Sequence, residues 1–356
     1  MKKTLKIAGI VLLALLLVVL AYVAYVFLSY HRIEDNLSLT PEGSASASVR
    51  TDTPYTVVSY NIGFGAYESD YSFFMDGGTE SWAWSEERLD ANLANIAQVL
   101  QKQNADFYFV QEVDAGSTRS YHRDESALLR QALPNFSSVW GQNYDSPFLF
   151  WPLTQPHGSS VSGLMTFSTA PISSSLRRSL PIEQGVMKLV DLDRCYTVSR
   201  VPMENGKELV LYAVHLSAYT SDGTIALDQM EMLLSDMQSE YEKGNYCVCG
   251  GDFNKDVLGN SEEVFGVSAG EYTWAQPLPE SLFQGKDITL VPPLDKENPV
   301  ASCRNADAPY HDGQYLVTVD GFLVSNNVSV SAATVIDTGF AYSDHNPVSM
   351  TFTLLP

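Results

Sequence analysis

From Ile7 to Ser29 the chain reads IAGIVLLALLLVVLAYVAYVFLS, 23 residues without a charged side chain. A run of this length has no place on the surface of a soluble fold. As a helix it spans about 35 Å, enough to cross the hydrocarbon core of a bilayer. The chain is therefore expected to divide into a membrane anchor and the part that it anchors. A cleaved signal peptide is the rival reading, but its apolar region usually runs about 7–15 residues before a small-residue site. The run here is longer, and Ala45, Ser46 and Ala47 lie well beyond it, which favours an uncleaved anchor. Lys2, Lys3 and Lys6 precede the span while Glu34 and Asp35 follow it. That asymmetry predicts a cytoplasmic amino terminus, with the rest of this cell-membrane protein facing outward.

Charge is divided in the same way. Of 21 basic and 42 acidic side chains, only Lys2, Lys3, Lys6 and Arg32 fall in residues 1–32, so residues 33–356 carry a balance of −25. Such a surface repels phosphate backbones and lacks the basic footprint by which proteins hold nucleic acid. Anionic headgroups are poor docking surfaces for the same reason. With 45% hydrophobic residues the chain can bury a sizeable core, and its composition excludes a disordered or disulfide-dense class.

Three regions are expected: an anchor over 1–32, a flexible linker over 33–54 and one domain over 55–356. The linker contains Pro41, Gly43 and the run SASAS, without apolar periodicity. In the domain, Tyr55–Asn61 and Phe107–Val113 read as buried strands. Further strands are expected at Gly163–Ser168, Glu208–His215, Tyr246–Gly250, Leu316–Val324 and Val348–Leu354. Helical spacing of Leu89, Leu93, Ile96, Val99 and Leu100 marks a helix over 86–103, and Met230, Leu233, Leu234 and Met237 mark a second between Ile225 and Tyr241. Several strands occur in succession, which favours stacked sheets flanked by helices over a purely parallel sheet. Cys247 and Cys249 alternate on one strand and are expected to face one layer as small apolar residues, while Cys195 and Cys303 are open to pairing in an oxidising exterior.

Polar residues repeatedly stand where these strands end: Asn61, Glu112, His215, Asp252 with Asn254, and Asp344 with His345. Any one of them suits an ordinary turn. As an ordered set they suggest a site on one rim of a sheet scaffold.

In that order the motifs VVSYNIG, FVQEVD, YAVHLSAY, GGDFN, VDGFLVS and YSDHNPV resemble the endonuclease/exonuclease/phosphatase superfamily, the metal-dependent group that includes DNase I-like nucleases, neutral sphingomyelinases and inositol polyphosphate 5-phosphatases. The likeness covers essentially all of residues 55–356. It implies a four-layer α/β sandwich, two packed mixed sheets with helices outside, that hydrolyses phosphate esters. By the resemblance Glu112 is the principal ligand of Mg²⁺, with Mn²⁺ a substitute, and Asn61 and Asp344 lie near the ion. Asp252 would orient and deprotonate the attacking water. Asn254 would donate to the phosphoryl oxygens, and His345, fixed by Asp320, would face the phosphate together with His215.

Two more positions are candidate substrate contacts. Arg304 in ASCRNAD is one, since a guanidinium suits bidentate phosphate binding; a surface salt bridge is its equal rival. Asn143 is the other, where a plain turn residue competes with a pocket border. The aromatic insert Phe73, Phe74, Trp82 and Trp84 reads as core packing rather than a lipid-facing lip. The expected substrate is a phosphate ester on a small molecule or lipid headgroup, the partner is the bilayer through the N-terminal helix, and a monomer is expected. A surface nuclease is disfavoured by charge, and a noncatalytic receptor on the same fold predicts losses among the motif residues, which are all present.

Overall fold

The computed structural model describes residues 2–182, 192–218, 224–268, 270 and 274–356. Two seven-stranded sheets pack face to face. The first has the spatial order Leu37–Leu39, Ser174–Ser179, Cys195–Pro202, Glu208–His215, Tyr246–Asp252, Asp320–Ser325 and Ile288–Val291. The second runs Val328–Val335, Val348–Leu354, Pro54–Asn61, Phe107–Asp114, Val161–Ser168, Ser137–Asp145 and Glu42–Gly43. Each is mixed: Glu208–His215 lies parallel to Tyr246–Asp252, and Pro54–Asn61 parallel to Phe107–Asp114, among otherwise antiparallel neighbours.

Side-chain alternation builds the layers. Leu209, Leu211 and Ala213 of one sheet meet Val57, Phe107 and Phe109 of the other in the inter-sheet core. The intervening residues Val210, Tyr212, Cys247 and Cys249 face outward onto Met230, Leu233 and Met237 of the helix Thr224–Glu242. On the far side Tyr60, Tyr108 and Val110 face Leu89, Leu93, Ile96 and Leu100 of the helix Glu86–Gln103. The result is helix, sheet, sheet, helix. The helix Glu86–Gln103 begins where the Ser85 hydroxyl accepts the Arg88 N–H and ends at Asn104 in the left-handed region, both common termini. Each of its buried aliphatic side chains contributes about 1.5–3 kcal/mol, so its amphipathic face holds it in place. All four cysteines are buried and free, and Cys247 and Cys249 share one layer.

The structure corrects several expectations. Leu316–Val324 divides: Leu316–Val317 pairs with Cys303–Arg304 in a separate ribbon, while Asp320–Ser325 joins the large sheet. Strands Ser137–Asp145 and Ser174–Ser179 are rich in serine and lack apolar alternation, so nothing in their periodicity marks them. The expected flexible linker is instead laid along both sheets. Leu37–Leu39 pairs with residues 175–177, Glu42–Gly43 with Ser137 and Ser138, and buried Val49 bridges Met203. The fully buried Arg177 guanidinium donates to the carbonyls of Ile33, Glu34, Gln142 and Asp193, and the Ser179 N–H donates to Asp35 at 2.8 Å. Backbone pairing needs no apolar pattern, and sheet edges offer unpaired N–H and C=O groups to any extended segment. Ahead of this segment, Lys2–Ser29 forms one helix, long and apolar enough to cross a membrane.

Candidate active site

Parity along the strands places the polar residues. Asn61 shares its face with Tyr55 and Val57, Asp252 with Tyr246 and Val248, His215 with Leu209 and Leu211, and Asp320 with Phe322 and Val324; all those apolar residues belong to the inter-sheet core. The four polar side chains therefore point into the space between the sheets, at one end of it. Register completes the alignment, since Asp252 lies opposite His215 on one neighbouring strand and opposite Asp320 on the other. Gly250 and Gly251 make this possible. A Cβ on Gly250 would stand 2.7 Å from the Phe109 ring of the facing sheet, and one on Gly251 would meet the Val214 carbonyl at 1.9 Å.

Two residues leave the regular ladder. The pairing of Phe107–Asp114 with Val161–Ser168 shifts between Val110 and Val113, and within this bulge Glu112 has φ +55°. Asn254 has φ +50°. Left-handed backbone at such residues costs on the order of 1–3 kcal/mol and is retained where surrounding structure over-determines it. Here the surroundings are visible. The Asn254 N–H donates to Asp252 Oδ1 at 2.8 Å and its amide to the Leu216 carbonyl at 2.8 Å. The Asn61 amide nitrogen donates to both Glu112 Oε1 and Asp252 Oδ2, each at 3.0 Å.

Around Asp252 the two histidines differ. His215 Nε2 lies 3.3 Å and His345 Nε2 3.7 Å from Asp252 Oδ2. Burial, aided by Arg194 and His345, holds His215 well below the usual imidazole range, so it is neutral. For His345 burial acts in the same direction, but the Asp320 carboxylate, 2.7 Å from Nδ1, overcomes it and keeps the ring protonated. Asp252 is pushed up to about 7, chiefly by burial and in spite of His345. Asp344 is pushed up to about 6, again by burial first, with Glu112 adding repulsion. Asp344 and Glu112 thus sit within electrostatic reach of each other, and among the described residues neither forms an ion pair with a lysine or arginine.

The structure brings together Asn61, Glu112, His215, Asp252, Asn254, Asp320, Asp344 and His345. It places Arg304 and Asn143 elsewhere. The Asn61 side-chain oxygen Oδ1 accepts the Gly63 N–H at 3.0 Å, while its amide nitrogen bridges the Glu112 and Asp252 carboxylates. Arg304 is almost fully buried, and its guanidinium donates to the carbonyls of Glu68, Tyr71, Asn305 and Ala308 at 3.0–3.3 Å. It clamps a loop and faces no open space. Asn143 is buried at an irregularity in its strand, and among the described residues no hydrogen bond joins it to the cluster. The sequence reading missed Ser302, whose hydroxyl donates to Asp320 Oδ2 at 2.7 Å, and Ser343, which donates to the Asn61 carbonyl and accepts the His345 N–H. A serine in a loop carries no local signal for such a role. Asp252, Asp320 and His345 also offer three ligand atoms within 4.8 Å of one another, a group that could hold a metal ion.

The sequence of residues 58–345 matches the model of the Endonuclease/Exonuclease/phosphatase family. The chain belongs to this family. Each activity in the family's description cleaves phosphate esters, and the site belongs to a phosphoester hydrolase. Similar solved structures share the fold: an endonuclease/exonuclease/phosphatase from Beutenbergia cavernae DSM 12333 (17% identity, TM-score 0.56, covering 86% of this chain and 72% of that one), the 2′,3′-cyclic phosphatase ANGEL2 (16%, 0.55, 89% and 98%) and the human Nocturnin catalytic domain (18%, 0.52, 89% and 97%). No curated protein matches the chain.

Proposed function

We propose that this family member is a divalent-metal-dependent hydrolase of phosphate esters, anchored by its N-terminal helix with the catalytic domain outside the cytoplasm. The observation that carries the reading is the crowding of Asp252 Oδ2 by the Asn61 amide and by the Nε2 atoms of His215 and His345.

Asp252 acts as general base. A carboxyl pushed up to about 7 is matched to accepting a proton from water near neutrality. Protonated His345 and the fixed Asn254 amide lie beside it, where negative charge grows on the phosphoryl oxygens, and pre-placed donors there need no reorganisation. Asp320 holds the His345 ring in one orientation, and Ser302 holds Asp320. Neutral His215 offers a second ring toward the phosphate. Glu112 and Asp344 fit a hard cation: they are oxygen donors, mutually repelling, and neither forms an ion pair with a lysine or arginine among the described residues. Bound there, such an ion would polarise the P–O bond and offset the charge of the leaving oxygen. The trio Asp252, Asp320 and His345 is the weaker fit, because Asp320 Oδ2 is already shared by His345 and Ser302.

A nuclease role is disfavoured by the −25 balance of residues 33–356. The test is hydrolysis by the full-length protein in detergent with Mg²⁺, offered bis(4-nitrophenyl) phosphate, 4-nitrophenyl phosphate, inositol phosphates, sphingomyelin, and single- and double-stranded DNA. Turnover of an ester that Asp252→Asn abolishes supports the reading. Undiminished turnover by that variant overturns it.

A further inference from the structure

The segment between strands Ser137–Asp145 and Val161–Ser168 contains Ser146 to Pro156, SPFLFWPLTQP, eleven residues without a charge. A soluble surface loop normally turns its apolar side chains inward. This one leaves Phe150 53%, Trp151 65% and Leu153 77% exposed. Three large apolar side chains together at one loop tip mark a contact surface.

Its neighbour identifies the occupant. Tyr22 of the N-terminal helix donates from its hydroxyl to the Phe148 carbonyl at 3.1 Å, the Phe148 N–H donates to the Tyr25 hydroxyl at 3.1 Å, and the Tyr22 and Phe150 rings meet edge to face at 5.1 Å. From Lys6 to Tyr25 the helix rises about 29 Å, matching a hydrocarbon core of about 30 Å. Tyr22 and Tyr25 then fall at the far interface, the level at which Tyr and Trp are enriched. The loop tip stands at that same level. The domain cannot drift from it either, because Ile33, Glu34 and Asp35 are bound to Arg177 and Ser179 directly after the helix.

The loop also shares an end of the fold with the catalytic cluster. Ser162, just past it, pairs with Asp114, two residues from Glu112. Thr118 N–H donates to the Ser159 carbonyl, and Ala115 N–H to that of Val161. On the other sheet Ser179, which receives the anchor segment, pairs with Cys195, whose neighbour Tyr196 pairs with Val214 beside His215.

We infer that Phe150, Trp151 and Leu153 seat in the outer bilayer interface beside the anchor helix and hold the catalytic rim at headgroup level, so that phosphate esters borne by membrane lipids are favoured over esters free in water. An uncharged aromatic contact suits this acidic domain, since it needs no attraction to anionic lipid. The inference deepens the proposed phosphohydrolase reading and rests on the anchor spanning the membrane.

The experiment reconstitutes the full chain in phosphatidylcholine vesicles with brominated acyl chains. Trp151→Phe isolates the Trp151 fluorescence among the five tryptophans. Quenching in the wild type that this variant loses supports docking, and an unquenched Trp151 in membrane-inserted protein overturns it. In parallel, Trp151→Ser/Leu153→Ser is compared with wild type on sphingomyelin in vesicles and on bis(4-nitrophenyl) phosphate in solution. Removing two interfacial side chains should lower turnover of the vesicle ester by about tenfold and leave the soluble ester unchanged. Equal effects on both esters overturn the orientation of the rim. Quenching of Trp151 without hydrolysis of any ester by wild type would instead overturn the phosphohydrolase reading and leave the docking surface standing.

Discussion

The Asp320–His345 pair lends itself to a double-mutant cycle, with His345→Ala, Asp320→Asn and the double variant assayed on a soluble phosphate ester. Both side chains are buried, and a 2.7 Å contact joins Asp320 Oδ2 to the His345 ring. A hydrogen bond between charged partners contributes about 1.5–3 kcal/mol, which corresponds to roughly 10- to 150-fold in rate. Asp320→Asn should lose about that much, because the ring remains but its charge loses the carboxylate that sustains it. His345→Ala removes the positioned group itself and should cost on the order of 10²–10⁴-fold. If Asp320 works through His345, the double variant should be no more than about threefold worse than His345→Ala alone. Independent groups would multiply, adding a further 10- to 150-fold. Ser302→Ala is the internal control: its hydroxyl touches the same Asp320 oxygen, so its loss should be small and should vanish in the Asp320→Asn background. The assay is initial rate at saturating and subsaturating substrate, with circular dichroism confirming fold. Fully multiplicative losses would show that Asp320 does not act through His345.

Glu112→Gln keeps the shape of the side chain and removes its charge, so it and excess chelator should each abolish hydrolysis; full turnover under either condition would exclude a metal held at Glu112. Arg304→Met leaves four buried carbonyls without their donor, and thermal unfolding should reveal a loss of about 3–5 kcal/mol with KM for a soluble ester essentially unchanged. A raised KM at unchanged stability would return Arg304 to the substrate. His157 is buried between the Ser81 carbonyl and Ser160 hydroxyl, and burial followed by Arg119 lowers it from 6.5 to about 4. Its neutral form therefore contributes stability that is complete above pH 6.5 and is lost as pH falls toward 4, about 3 kcal/mol in all; His157→Asn should flatten unfolding free energy against pH in that window. Protease added to intact cells should digest the catalytic domain, and protection until lysis would reverse the proposed topology.

What the sequence determined by itself is local in origin. An apolar run of 23 residues can satisfy its backbone in lipid only as a helix, so the long N-terminal helix is legible without any neighbour. Alternation along Glu208–His215 and Tyr246–Asp252 already assigns His215 and Asp252 to the face shared with Leu209 and Val248, because side-chain direction in a strand has period two. The order of motifs then pointed to the residues that cluster around Asp252, including Asp320 and His345. Tertiary structure alone decided the fates of Arg304, the expected linker and the aromatic loop. Arg304 reads as a phosphate binder until its carbonyl partners arrive from Glu68 and Tyr71, more than 230 residues away. Residues 37–43 read as tether until two sheet edges present unpaired backbone to them. Phe150, Trp151 and Leu153 carry the same letters as a buried cluster, and only the position of Tyr22 and Tyr25 beside them turns those letters into a membrane contact. Periodicity encodes which face of an element is covered; which group covers it depends on chain segments brought together by folding, and no local pattern holds that information.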